Sequence, residues 1–91
     1  MQAGRDLDYL IAEQVMGINI FILHTMNDIP RYSTDIAAAW EIVEKLRLAI
    51  LPMSNGQWAA ALNDDKEFVP GFIADTAQYA ICLAALKAVN P

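Results

Sequence analysis

The stretch that most constrains the fold is PRYSTDIAAAWEIVEKLR, residues 30–47, because it reads as a turn, a cap and an amphipathic helix in succession. Ser33 or Thr34 can accept hydrogen bonds from the free amides of a first helical turn. Asp35 places a negative charge at the helix start, where the helix dipole favours it. The apolar residues that follow share one face and predict a helix packed against a core that includes its tryptophan: Ile36, Ala39, Trp40, Val43 and Leu46.

A helix and a strand are predicted before this stretch. Leu7 and Ile11 fall at helical spacing, and Asp8 points away from them. Gly17 stands where a helix can end in a left-handed residue. The segment INIFILHTM, residues 18–26, is rich in β-branched and aromatic residues and is apolar on both faces. We therefore expect it to form a strand that is covered on both sides.

The segments after residue 47 predict a hairpin. Residues 48–53 are apolar but contain Pro52, which cannot donate to a sheet ladder and so favours an edge strand. The pair Asn55 and Gly56 is a strong hairpin signal. Residues 57–62 return as a strand with large side chains on one face and small ones on the other, and residues 68–74 could add a last short strand.

The C-terminal segment predicts a helix to about Val89. Asp75 followed by Gln78 forms a capping-box pattern at its start. A helix that is apolar all round is buried all round, by the sheet on one side and by another helix or a second subunit on the other. Its small-residue stripe is a candidate interface between subunits, formed by Ala77, Ala80, Ala84 and Ala88.

Length and composition complete the fold prediction. At 91 residues the chain, residues 1–91, is expected to form one domain. The predicted order is helix, strand, helix, strand, strand, helix, which is an α+β fold with a small antiparallel sheet packed by helices. Hydrophobic residues make up 56% of the chain. Because this exceeds what a small core can bury, we expect exposed apolar surface and a homo-oligomer.

Charge and cysteine content restrict the class of partner and the compartment. The net charge is −5 with only six scattered Lys and Arg residues, which argues against nucleic-acid binding. Cys82 is the only cysteine, which fits a reducing compartment. Residues 1–8 lack the features of a signal peptide, and no apolar run is long enough to span a membrane. A cytoplasmic protein without membrane partners is expected.

Catalytic and metal-binding constellations are weak. His24 is the only histidine, and Cys82 lies within an apolar helix, so no nucleophile and base can be paired. One His and one Cys are too few for a zinc site within a chain. Asp64, Asp65 and Glu67 lack the spacing of a calcium loop. We expect no enzyme, no cofactor and no metal.

One local cluster has mixed polar chemistry. Arg31, Tyr32, Ser33, Thr34 and Asp35 lie at a predicted helix N-terminus, where backbone amides attract anions. Two readings remain open. The cluster either forms only a turn and a cap, or it binds an anion or nucleotide with Arg31 as the charge and Tyr32 as a stacking surface.

Two segments carry a family resemblance. PRYSTDIAAAWEIVEKL and, near the C-terminus, ADTAQYAICLAALKAV resemble the phage ABA sandwich domain, a family encoded by bacteriophages and prophages. The resemblance implies an α/β/α sandwich of helices around an antiparallel sheet, in the host cytoplasm. It implies no catalytic residues.

These observations favour two functional hypotheses. The first is a non-enzymatic, homo-oligomeric interaction module that engages a host protein, motivated by the apolar surplus and the doubly apolar last helix. The second is a protein that sequesters a small anionic metabolite or a nucleotide signal of host defence at Arg31 to Asp35.

Overall fold

The computed structural model describes residues 2–18, 29–62 and 72–89. Its elements, in chain order, are helix α1 (Arg5–Leu10) continued by a π-helical segment (Ile11–Val15), helix α2 (Ile36–Leu46), strands β1 (Leu48–Pro52), β2 (Trp58–Leu62) and β3 (Phe72–Ala74), and helix α3 (Ala77–Val89). Apart from Ile18, the strand predicted at residues 18–26 lies outside the described residues, as do His24 and the loop at 63–67.

The first helical stretch ends at the glycine that the sequence indicates. Gly17 has a φ of 69°, a left-handed conformation that glycine adopts without steric penalty. The amide of Ile18 then donates to the carbonyl of Ala12 at 2.9 Å, which satisfies a carbonyl at the helix end. The predicted stop is confirmed.

The three described strands form one antiparallel sheet in the order β1-β2-β3. The predicted hairpin is confirmed: Gly56 takes a φ of 87°, and the amide of Met53 donates to the carbonyl of Gln57 at 2.8 Å. Strand β3 occupies only Phe72–Ala74 of the predicted 68–74 segment, and residues 68–71 lie outside the described part.

The register gives the two faces of the sheet different neighbours. Ile50 pairs with Ala60 and Ala60 with Phe72, and this row packs into the core beneath the helices. The next row belongs to the opposite face, because successive strand residues point to opposite sides. That row consists of Leu51, Ala59 and Ile73.

Helix α3 is the centre of the core. It contacts all three strands, helix α2 and the π-helical segment. Its buried residues therefore extend round most of the helix: Ala80, Ile81, Cys82, Ala84 and Ala85. The apolar residues on both faces of α3 are buried within the chain. Of the two neighbours predicted for its second face, another helix or a second subunit, the structure shows the helix.

Helix α2 buries a different arc from the predicted one. Its buried residues are Ala39, Ile42 and Val43. Ile36 and Trp40 are 47% and 51% exposed, so their assignment to the core is wrong. Trp40 lies about 100° round the helix from Ala39 and about 60° from Val43, outside the buried arc.

The α+β fold class is confirmed, with a small antiparallel sheet packed by helices, as expected of an α/β/α sandwich domain. The described elements follow the predicted order, with β3 added at the position where a short strand was left open. None of the helices in the described ranges is long and apolar enough to cross a membrane.

Candidate functional site

The predicted cluster before α2 divides into exposed and buried members. Arg31, Thr34 and Asp35 are exposed, whereas Tyr32 and Ser33 are each only 1% exposed. A buried ring cannot offer a stacking surface to a ligand in solution. The solvent-facing part of the cluster is therefore Arg31, Thr34 and Asp35.

Ser33 belongs to a buried hydrogen-bond network centred on Asp8. Its amide and its hydroxyl both donate to Asp8 Oδ1, at 2.7 and 2.6 Å. The Ser33 hydroxyl also accepts from the Gly4 amide at 2.9 Å. On the other carboxylate oxygen, Arg5 forms an ion pair at 2.9 Å, and it donates in addition to the carbonyl of Ile29. The network fixes α1 to the turn before α2.

Asp8 is the residue that the helical pattern misplaces. It was expected to point away from the apolar face, yet it is 0% exposed. It stays buried because three donors, the amide and hydroxyl of Ser33 and the guanidinium of Arg5, offset the cost of removing its carboxylate from water. The one local signal was Arg5 three residues earlier, the spacing at which helical side chains meet.

The start of α2 is capped by Asp35, whose carboxylate accepts from the amide of Ala37 at 3.0 Å. The prediction that Ser33 or Thr34 provides this cap is wrong, because Asp35 is the capping residue and the Ser33 hydroxyl is held by Asp8. The turn and the cap are thus formed by neighbouring residues with separate partners.

The start of α3 also differs from the predicted capping box. The amide of Tyr79 donates to Thr76 Oγ1 at 3.2 Å, so the cap lies one residue after Asp75. Asp75 instead accepts from Gln57 Nε2 at 3.1 Å, and Gln78 Nε2 donates to the carbonyl of Thr34 at 3.1 Å. These two bonds connect the start of α3 to the hairpin and to the turn before α2.

Burial shifts two titratable groups in the core. It raises the pKa of the Cys82 thiol to about 12, and the negative charge of Asp8 acts in the same direction. The pKa of Tyr32 is also raised, first by burial and then by the charges of Glu41, Asp8 and Cys82. A thiol that stays protonated is a poor nucleophile.

Part of the predicted interface stripe on α3 is buried in the core of the chain. Ala80 and Ala84 are 0% and 3% exposed and belong to the core, while Ala77 and Ala88 are half-buried. The stripe as an interface between subunits stays a prediction, and Ala77 and Ala88 are its accessible members.

A cavity of about 430 Å³ opens between the starts of α2 and α3 and the sheet. It has aromatic, aliphatic and polar walls, formed by Ile36, Trp40, Ile50, Trp58, Asp75, Thr76, Ala77, Gln78 and Ile81. We call it the tryptophan groove, because it is lined by both tryptophans of the chain, Trp40 and Trp58. Asp75 is the charged member of this lining, which contains no Lys or Arg among the described residues.

Trp40 was predicted to lie in the core, and it instead lines the groove together with Trp58. The sequence could not predict that the two tryptophans line one groove, because Trp40 belongs to α2 and Trp58 to β2. The only signal was Trp40 itself, at the edge of the predicted apolar face.

The described residues contain no group of three or more His, Cys, Asp or Glu side chains placed to hold a metal ion.

Comparison with known proteins gives a family and a structural relative. The phage ABA sandwich domain family matches the chain over residues 9–86. The chain is also similar to a phage protein from Bacillus cereus ATCC 14579 whose crystal structure is solved. The two share 33% sequence identity, with a TM-score of 0.67, over 98% of this chain and 93% of that one. No curated protein matches the chain.

Proposed function

The chain belongs to the phage ABA sandwich domain family, and on that premise we propose that it is a non-enzymatic interaction module that forms homo-oligomers and engages a host protein. The family match shows a relationship to phage proteins. That the chain acts on a host protein is part of this proposal, and the exposed surface of the chain supports it.

The observation that carries this proposal is the apolar outer face of the sheet. Leu51 and Ile73 are 47% and 50% exposed and lie on either side of Ala59 in one row across the three strands. Large exposed apolar side chains grouped together mark interaction surfaces. Two copies related by a two-fold axis could oppose this row to itself.

The described residues also support a non-enzymatic role. The Ser33 hydroxyl is buried and directed at Asp8, at 2.6 Å, so it cannot reach a substrate. Cys82 is fully buried, and its raised pKa keeps the thiol protonated. Neither side chain is placed as an accessible nucleophile.

Light scattering at micromolar concentration tests the association. We expect the wild-type chain to have the mass of a dimer or a larger oligomer, and the double variant Leu51→Thr/Ile73→Thr to shift toward the monomer. Val89→Thr is the matched control, because Val89 is 36% exposed at the end of α3 and is not a member of the sheet row. A monomeric wild-type chain would remove the main support for the module.

A second candidate function is sequestration of a small anionic metabolite or a nucleotide signal of host defence. It is favoured by one contact: Gln78, which lines the tryptophan groove, donates to the carbonyl of Thr34. The exposed cluster that includes Arg31 therefore adjoins a cavity.

Thermal denaturation with a panel of nucleotides tests the second candidate, because a ligand that binds only the folded chain raises its melting temperature. We expect any shift to disappear in Arg31→Ala and to persist in Lys87→Ala, which removes an exposed charge from the last turn of α3. No shift with any nucleotide would count against sequestration.

A further inference from the structure

We propose that the tryptophan groove binds an arginine or lysine side chain presented by a protein partner. The inference deepens the proposed function and rests on it for the existence of that partner. It assigns a binding site and a recognition chemistry to the contact with the host protein. The outer face of the sheet explains only self-association.

The aromatic walls provide the first argument. Trp40 and Trp58 line the same groove, and the face of an indole attracts a cation more strongly than the face of any other aromatic side chain. Arginine also stacks its planar guanidinium on such faces. Tryptophan at an accessible site is frequently a dominant contact in protein interfaces.

Charge provides the second argument. Asp75 is the charged residue of the described lining, and the exposed Asp35 directly precedes Ile36 on its rim. The chain as a whole carries a charge of −5. Within the described walls an incoming anion would meet the Asp75 carboxylate and no basic residue, because Arg31 lies outside the lining, whereas a cation is complementary to Asp75.

The helix starts at the groove do not reverse this preference. Amides at helix N-termini attract anions when they lack partners. Here the amide of Ala37 is held by the Asp35 carboxylate at 3.0 Å, and the amide of Tyr79 by Thr76 Oγ1 at 3.2 Å. At each helix start one of the first amides is therefore already paired with a side chain of the protein, which reduces the attraction of that start for an anion.

The floor and the rim indicate a side chain rather than a free small molecule. Ile50 and Ile81 provide an apolar floor, along which the methylene stem of arginine or lysine can lie. Ile36 and Trp40 are about half exposed, so the groove leaves much of its wall in solvent. Small-molecule pockets enclose most of their ligand, whereas an open groove suits a group delivered on another surface.

The experiment is a titration of the full-length chain with Nα-acetyl-arginine amide, with the citrulline and glutamate analogues as probes of charge. Citrulline has nearly the shape of arginine but no charge. The readouts are tryptophan fluorescence and the NMR signals of the indole N–H groups. Because both tryptophans of the chain line the groove, these signals report directly on it.

We expect saturable binding of the arginine amide, about twofold to fivefold tighter than the citrulline amide, the range of one exposed cation–π contact. Asp75→Asn should weaken arginine binding by about twofold to fivefold and leave citrulline binding unchanged. Asparagine can still accept the hydrogen bond from Gln57, so the local structure is retained. Glu13→Gln is the charge-matched control, because Glu13 is exposed and lies outside the groove lining.

The proposal is overturned if arginine and citrulline amides bind equally, if the glutamate amide binds as tightly, or if Asp75→Asn and Glu13→Gln weaken binding to the same extent. Light scattering on the same samples separates this outcome from failure of the proposed function. Loss of arginine selectivity in an oligomeric protein refutes the groove alone, whereas arginine selectivity in a strictly monomeric protein supports the groove and refutes the module.

Discussion

Replacing Asp8 with alanine is expected to destabilise the fold more than any change to the exposed cluster at Arg31 to Asp35. Three donors converge on the Asp8 carboxylate: the amide and the hydroxyl of Ser33 at 2.7 and 2.6 Å, and the guanidinium of Arg5 at 2.9 Å. The Asp8 side chain is 1% exposed and that of Arg5 is 27% exposed. Water can therefore solvate Arg5 after the substitution but cannot easily reach the donors of Ser33.

The magnitude follows from these contacts. A buried donor that loses its acceptor costs about 1–3 kcal/mol, and breaking a buried ion pair costs about 3–5 kcal/mol. Because Arg5 is partly hydrated and keeps its bond to the carbonyl of Ile29, we expect a total near the lower end, about 3–4 kcal/mol. A chain of this length has a free energy of unfolding of roughly 5–14 kcal/mol, so the loss is a large fraction.

Urea denaturation followed by circular dichroism measures this loss. With a slope of about 1 kcal/mol per molar urea, the midpoint of Asp8→Ala should fall by about 3 M. Ser33→Ala should cost less, about 1–2 kcal/mol, and the double variant should show a coupling of about 1–3 kcal/mol. Asp6→Ala is the control, because Asp6 is exposed on the same helix and should change stability by less than about 0.5 kcal/mol. A change below about 1 kcal/mol in Asp8→Ala, or strict additivity with Ser33→Ala, would refute the network as the connection between α1 and α2.

Three further outcomes are expected. On α2, Ile42→Ala should cost about 2–5 kcal/mol because Ile42 is 0% exposed, whereas Trp40→Ala should cost much less because Trp40 is 51% exposed; urea midpoints check the order, and equal losses would contradict the described arc. Burial raises the pKa of Cys82 from 9.0 to about 12, so the stability that the protonated thiol contributes is fully present below pH 9 and is lost between pH 9 and 12, as the unfolded chain releases the proton first. Relative to Cys82→Ala, the free energy of unfolding should fall by roughly 1 kcal/mol at pH 10. Parallel curves of stability against pH for the two chains would contradict this. Arg47 ends α2 with a left-handed φ of 57°, so Arg47→Gly should raise stability by about 0.5 kcal/mol in thermal denaturation, and a loss of stability would show that the arginine side chain outweighs its backbone strain.

The elements that the sequence predicted correctly depend on neighbouring residues. Gly17 and Gly56 occupy left-handed positions, and each determines a local ending or turn whatever the rest of the chain does. Helix α2 was equally local in its signal, with Asp35 at its start and an apolar stripe behind it. The fold class followed from the succession of such local patterns.

The errors concern contacts between distant parts of the chain. Asp8 was assigned to the solvent because helical spacing cannot show that Ser33, 25 residues away, returns to it. Five apolar residues on α2 spread over a wide arc, and periodicity alone could not decide which part of it faces α3. Asp75 and Thr76 are both good caps, and the bond from Gln57 to Asp75 decides between them.

The groove was beyond sequence reasoning for the same reason. It requires Trp40 from α2, Trp58 from the hairpin and the start of α3 to meet, and each has an ordinary local explanation. The cluster at Arg31 to Asp35, by contrast, was predicted from the sequence, but only part of it is exposed to solvent. Burial of Tyr32 and Ser33 is a tertiary property that its mixed polarity does not reveal.

Native mass spectrometry of the protein purified from its infected host reports both the number of subunits and any retained partner in one spectrum. We expect an oligomer of the 10.1 kDa chain that carries a second polypeptide. The same spectrum from Leu51→Thr/Ile73→Thr should show a smaller assembly. A monomer without a bound polypeptide, or an assembly that retains only a small anionic ligand, would contradict it.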